Sequence, residues 1–352
     1  MENKIKHYHE LINIKRERVV PVPGDVMVRR MQKVTPTDVI VVASMAPKFM
    51  LIDIAQGLQV SPSKADEYLQ RRSGEDLVKG DIIAGPVGVF KRVIRAPQTG
   101  QIKIAGEGKV LYEIESPDFE LHAGMEGTVT NIIPERGAII ETRGALIQGV
   151  WGNGKVTYGI MQPISNDLLQ EMVPEQLNIG FRGIVITAGF LRNPKVLEAA
   201  GNIPIKGLVL GSMSSELIPM AKAADFPIMV IDGFGRKPMN KAAERIITTQ
   251  KDKNVALNAQ VYDPFQGNYP EVIISHTPTS NPSPPLETDT LNEGKPVIIV
   301  NGPLSSRIGK IEKLYPRERL LPNGISTKIA TVSLSGDETA EIPLANLEII
   351  DL

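Results

Sequence analysis

Between Gly183 and Gln260 the chain alternates unbroken apolar runs with amphipathic ones, and that alternation limits the fold more than any other feature. The text runs GIVITAG, NPKVLEAAG, IKGLVLGS, SSELIPMAKAAD, FPIMVIDG, KPMNKAAERIITTQ and NVALNAQ. A strand that is apolar at every position has no face to give to water, so it belongs in a sheet covered on both sides. Helices between such strands supply the cover. The expectation is a central α/β domain with a parallel sheet over 175–276. In its last helix Ala242, Ile246 and Ile247 point inward while Lys241 and Arg245 point to water.

Upstream the pattern changes. From Val19 to about Met161, short β-branched runs are cut by Gly, Pro and Asp, as in VVPVPGDVMVRR and GKVTYGIM. Turn-punctuated strands of this length predict an N-terminal all-β barrel or sandwich region. We divide it at 19–115 and 116–165, the second part being a small glycine-rich barrel or a continuation of the first. Residues 1–18 read as an N-terminal extension. One helical insertion is expected near 61–72, begun at Pro62, capped by Ser61 or Ser63, with Ala65, Tyr68 and Leu69 as its apolar stripe. Residues 277–294 are Pro-rich and aperiodic and read as a linker. Five short runs of strand text in 295–352 predict an SH3-like β-barrel, so the chain as a whole is multidomain.

Two resemblances follow from particular residues. Gly24-Asp25-Val26 recurs as Gly80-Asp81-Ile82, and Ala96-Pro97-Gln98-Thr99-Gly100 precedes another strand. A Gly-Asp turn sets up a strand because Gly takes unusual φ and Asp bonds its own backbone. The arrangement over 19–115 resembles biotinyl/lipoyl-like (barrel-sandwich hybrid) domains. Their modified lysine is not expected here, because Lys91 and Lys103 both read as strand. In the last unit, Val297–Leu304 with its Asn301-Gly302-Pro303 turn, then Arg307-Ile308-Gly309-Lys310-Ile311, resembles a KOW domain. That resemblance implies contacts to RNA, polymerase or ribosome around the turn, at Asn301, Pro303, Leu304, Ser305, Ser306 and Arg307.

Charge argues against nucleic acid as the first choice of partner. The chain holds 39 basic and 40 acidic residues for a net charge of −1, so no global field draws it to a polyanion. Seven basic and seven acidic residues balance within 295–352, although Arg307, Lys310, Lys313, Arg317 and Arg319 cluster. Trp151, in a glycine-rich loop, suits stacking on a base or docking on a protein; the alternative is a ring folded over its own barrel. Phe234, Arg236 and Lys237 share one loop and make a second candidate contact surface.

Catalytic chemistry finds little support. With no cysteine, thiolate nucleophiles and cysteine-rich metal sites are excluded. Ser212 and Asp232 stand at strand ends where α/β sheets bind ligands, but no nucleotide-binding glycine motif and no histidine accompany them. His7 and His9 lie two apart on a polar segment and can share a metal only as an exposed strand pair with outside help. No catalytic residue, cofactor or metal is assigned. The reading is a non-enzymatic scaffold or adaptor that binds other proteins, as a homo-oligomer or within a large assembly. The alternatives are a nucleic-acid-associated transcription or translation factor using 301–319, and an enzyme or small-ligand sensor using the α/β cleft. With neither a signal-peptide core nor an eighteen-residue apolar run, the expected location is cytoplasmic, or within a non-secreted protein assembly, without membrane contact.

Overall fold

The computed structural model describes residues 2–44, 47–115, 118–165, 167–261, 269–276, 285–286, 288–321, 323–336 and 338–352. It is a multidomain, mostly β-sheet protein with five separate sheets and one parallel stretch. Among the described residues no helix is long and apolar enough to cross a membrane.

The parallel stretch lies where continuous apolarity put it. Lys155–Pro163, Ile184–Leu191, Gly207–Met213 and Ile228–Phe234 are parallel neighbours in that order. Side chains alternate between two cores. Ile186, Leu208, Leu210 and Val230 meet the helices Pro194–Asn202 and Ile218–Ala223. Val185, Val209, Met229 and Ile231 share a core with the helix Lys241–Thr249 through Ile246 and Ile247, as its stripe predicts. Two features differ from expectation. The first parallel strand comes from residue 155 onward, and the last strand, Asn254–Ala259, returns antiparallel to it. The helix before that return lies on the opposite face from the first two, so the chain crosses back instead of extending the parallel order.

The polar N-terminal segment is a strand of eighteen residues, Glu2–Val19. It pairs antiparallel with Gly137–Gln148 from Tyr8↔Ile147 to Val19↔Gly137, with a bulge between His9 and Ile12. Gly137–Gln148 in turn pairs on its other edge with Glu271–Ser275, and there Gly144 is obligatory for packing: a Cβ would sit 1.9 Å from the Ile274 carbonyl oxygen.

Residues 48–114 carry a core of their own around Ile54, Leu58, Leu77, Ile83, Ile102 and Tyr112. The helix there is shorter than its text suggests, Pro62–Glu67, leaving Tyr68 outside it and partly exposed. Lys91 is not in a strand. It lies at φ 46° in the turn joining Ile82–Val87 to Arg92–Arg95, while Lys103 is in the strand Gly100–Gly106.

In the last unit five strands fall on the expected text, Pro296–Ile299, Ile308–Leu314, Ile329–Ser333, Thr339–Pro343 and Leu347–Asp351, and a short pair, Arg319–Leu320 with Ser326–Thr327, is added between the second and third. The hydrogen-bonded order starts at Thr339–Pro343, passes through Ile329–Ser333, Ile308–Leu314 and Pro296–Ile299, and ends at Leu347–Asp351. Among the described residues no ladder joins the two ends of this order. The final strand instead spends its free edge on the N-terminal strand, in parallel, with Ile5↔Ile349, Lys6↔Ile350 and His7↔Asp351. Ile298 and Ile350 belong to the central core, whereas Val297, Ile299 and Leu347 belong to the unit's own. The Pro-rich segment therefore leads to a unit that is fixed to the sheet. Residues 277–284 and 287 of that segment lie outside the described residues, and Thr288–Thr290 pairs with Glu2–Lys4.

Candidate functional site

The carboxyl end of the strand Ile228–Phe234 opens on a cleft, and Asp232 organises it. After Asp232 the chain reverses through Gly233 and Gly235, whose φ values of 118° and 92° are left-handed and suit glycine. The loop is then pinned at three points. Asp232 Oδ2 accepts from the Asn240 backbone N–H at 2.8 Å and Oδ1 accepts from Asn240 Nδ2 at 2.9 Å. Asn240 Oδ1 in turn caps the helix Lys241–Thr249 by accepting from Ala243 N–H at 2.9 Å. Ser212, on the neighbouring strand, donates its Oγ–H to the Lys237 carbonyl at 2.6 Å and accepts from the Lys237 N–H at 3.2 Å.

Two lysines reach the same place, one from the N-terminal strand and one from the loop itself. Lys6, wholly buried on the N-terminal strand, donates from Nζ to the Ile231 carbonyl at 2.9 Å and lies 5.3 Å from the Tyr8 ring centroid. Lys237 donates from Nζ to the Val300 carbonyl at 3.0 Å, tying the loop to the C-terminal unit. Glu348, on the final strand, and Ser306 complete the lining. Neither Glu348 Oε2 nor Ser306 Oγ has a hydrogen-bond partner among the described residues, although both atoms are buried. The half-open cleft has a cavity volume of about 290 Å³. That is near the lower bound for small-molecule pockets, and at about 30 Å³ per molecule it holds a cluster of waters or one small polar solute.

The cleft is electrically balanced. Burial pushes the Asp232 carboxyl upward, opposed first by the charge of Lys6 and then by its bonds from Asn240. Burial pushes Lys6 downward, opposed by Asp232 and Glu348. Each charge is thus costly alone and tolerable in company.

The sequence-derived residues separate into groups. Asp232, Phe234, Lys237 and Asn301 line the cleft together. Ser212 lies behind them, its hydroxyl engaged by the Lys237 backbone. Trp151 is half-buried and meets Phe234 edge-on at 6.0 Å, the arrangement of a ring folded onto its own sheet. Arg236 is exposed beside them, while Pro303 is exposed and Leu304 packs on the C-terminal core. The basic cluster is elsewhere and partly engaged. Arg307 forms a two-pronged pair with Glu338 at 3.0 and 2.6 Å, and Arg319 pairs with Glu341 at 3.0 Å. Arg319 also covers the Tyr315 ring at 3.7 Å, with Lys313 at 5.4 Å, so that face is already occupied. Lys310 and Arg317 are exposed.

Sequence reasoning missed Lys6 and Glu348. The alternation of Ile12 and Ile14 marks the first segment as strand, but the bulge between His9 and Ile12 turns that face toward a different core from the one Tyr8 meets, so no local signal placed Lys6 inward. His122 Nδ1 lies 3.0 Å from the Thr37 carbonyl, and His276 bonds through its N–H to Arg143, so neither histidine reaches Ser212. No protein-family model matches the chain, and its sequence finds no match among curated proteins.

Proposed function

We propose that this chain is a non-enzymatic scaffold that docks other proteins, a second copy of itself included, through its 48–114 unit. One observation carries the reading. Among the described residues, the most exposed large apolar side chains are Val89 and Phe90, at 95% and 84%, side by side at the tip of the hairpin Ile82–Val87/Arg92–Arg95. Two adjacent apolar side chains held out by a turn cost nothing to desolvate fully when a partner closes over them. The same unit exposes Phe49, Leu51 and Ile104, with Leu51 and Ile104 flanking Leu111 in adjacent register. Such contiguous apolar surface is the mark of an interaction site.

The cleft supports this reading by being used internally. The strand-end position where an α/β sheet binds ligands is lined here by Lys6, Val300, Ser306 and Glu348 of the chain itself. An SH3-like or KOW-like identity for 295–352, and a barrel-sandwich identity for 19–115, agree with a protein built from small docking modules. The RNA-binding alternative is less well supported, because Arg307 and Arg319 are paired with carboxylates and the Tyr315 face is covered.

Replacing both tip residues, Val89→Ser with Phe90→Ser, should weaken docking by about tenfold or more while leaving the unfolding midpoint unchanged. Light scattering on the purified chain reads self-association, and crosslinked native complexes read other partners. A wild type that stays monomeric and captures nothing, or a variant that holds the same partner equally well, would overturn the reading. Salt-sensitive binding of RNA by the chain would favour the alternative.

A further inference from the structure

The junction of the first and last strands holds a second group of polar side chains, on the face opposite Lys6. His7 and His9 alternate along the N-terminal strand and project to the same side, their rings stacked at 5.7 Å between centroids and 29° between planes. The parallel register His7↔Asp351 delivers a carboxylate to them from the final strand. Asp351 Oδ2 lies 3.9 Å from His7 Nδ1 and 3.1 Å from His9 Nε2, and the three donor atoms all lie within 4.8 Å of one another.

We propose that His7 Nδ1, His9 Nε2 and an Asp351 carboxylate oxygen bind one divalent transition-metal ion, with zinc(II) the ion this donor set suits best. Tetrahedral zinc with bonds of about 2.0–2.2 Å spaces its donors about 3.3 Å apart, and the two measured separations bracket that value. The third separation, between the two histidine nitrogens, is within 4.8 Å, and side-chain rotation closes it onto one ion. Two imidazoles and one carboxylate favour zinc or its transition-metal neighbours over magnesium and calcium, which prefer all-oxygen shells. An ordinary His9–Asp351 pair accounts for only part of the geometry. His7 Nδ1 is buried with no hydrogen-bond partner among the described residues, an uncompensated cost that a metal bond removes. Asp351 is partly exposed, which leaves the fourth position to a water. His7 is held in place from behind, its backbone N–H donating to Gln148 Oε1 at 3.0 Å. Because the ligands come from the two terminal strands, the metal clamps the C-terminal unit to the central sheet.

The test uses the untagged full chain, stripped with a chelator and titrated with zinc(II). The expected result is one zinc per chain, a melting temperature that rises with zinc concentration, and binding at least about tenfold weaker in His9→Gln and Asp351→Asn. Cobalt(II) substitution gives a second reading on the wild type alone, independent of whether the variants fold: intense visible bands of a tetrahedral site are expected. Zinc uptake below one per folded chain, uptake equal in wild type and both variants, or a cobalt spectrum like that of the aqueous ion would each overturn the proposal.

Discussion

Ending the chain at Asn346 should unfold the C-terminal unit and expose the first strand as well. The deleted residues include Leu347, Ile349 and Ile350, all buried, and each such side chain contributes about 1.5–3 kcal/mol. The summed loss of about 5–9 kcal/mol compares with a whole-domain stability of about 5–15 kcal/mol. Two ladders disappear together, to Val297–Ile299 and to Ile5–His7. Hydrogen exchange should therefore show lost protection in both places, and urea unfolding should acquire an early transition. Single substitutions divide the effect. Ile350→Ala removes a side chain of the central core and Leu347→Ala one of the unit's own, each at a cost of about 2–5 kcal/mol. A truncated chain with wild-type protection at Ile5–His7 would show that the terminal strands do not support each other.

That junction was the part of the fold least legible in the sequence, for a physical reason. The five C-terminal strands and the helix stripe at Ile246 and Ile247 could be read because apolar periodicity records what faces a core. The parallel strands could be read because apolarity without periodicity records two covered faces. The segment from Ile5 to Tyr8 is also covered on both faces, but two of its buried side chains are Lys6 and His7, and burial of polar groups leaves no hydrophobic trace. The cleft was half legible. Asp232 and Lys237 stand on one loop and were seen, whereas Lys6 and Glu348 arrive through pairings between distant parts of the chain that no local pattern encodes. Lys91 was misplaced because Val89 and Phe90 look like strand residues, and a turn that exposes both conflicts with their propensity.

Asp232→Ala should lower stability by about 3–5 kcal/mol, measured by denaturant unfolding, because it leaves buried groups without compensation. Lys6 loses a balancing charge, and Asn240 loses acceptors for its backbone N–H and its Nδ2, so the cap of the helix Lys241–Thr249 loosens. Asp232→Asn should cost less, since its carbonyl oxygen still accepts one of the two bonds. Adding Lys6→Met to Asp232→Ala should return part of the loss, because an apolar chain of similar length removes the stranded cation, and a double-mutant cycle reads the coupling directly. The sign of the single substitution separates two roles for the cleft. A carboxylate kept for a ligand is commonly a burden on stability, so its removal stabilises the fold. A carboxylate that clasps three parts of the chain destabilises the fold when removed. The bonds from Asn240 and the opposing lysines predict the second outcome, and a variant as stable as the wild type, or more so, would return the cleft to candidacy as a ligand site.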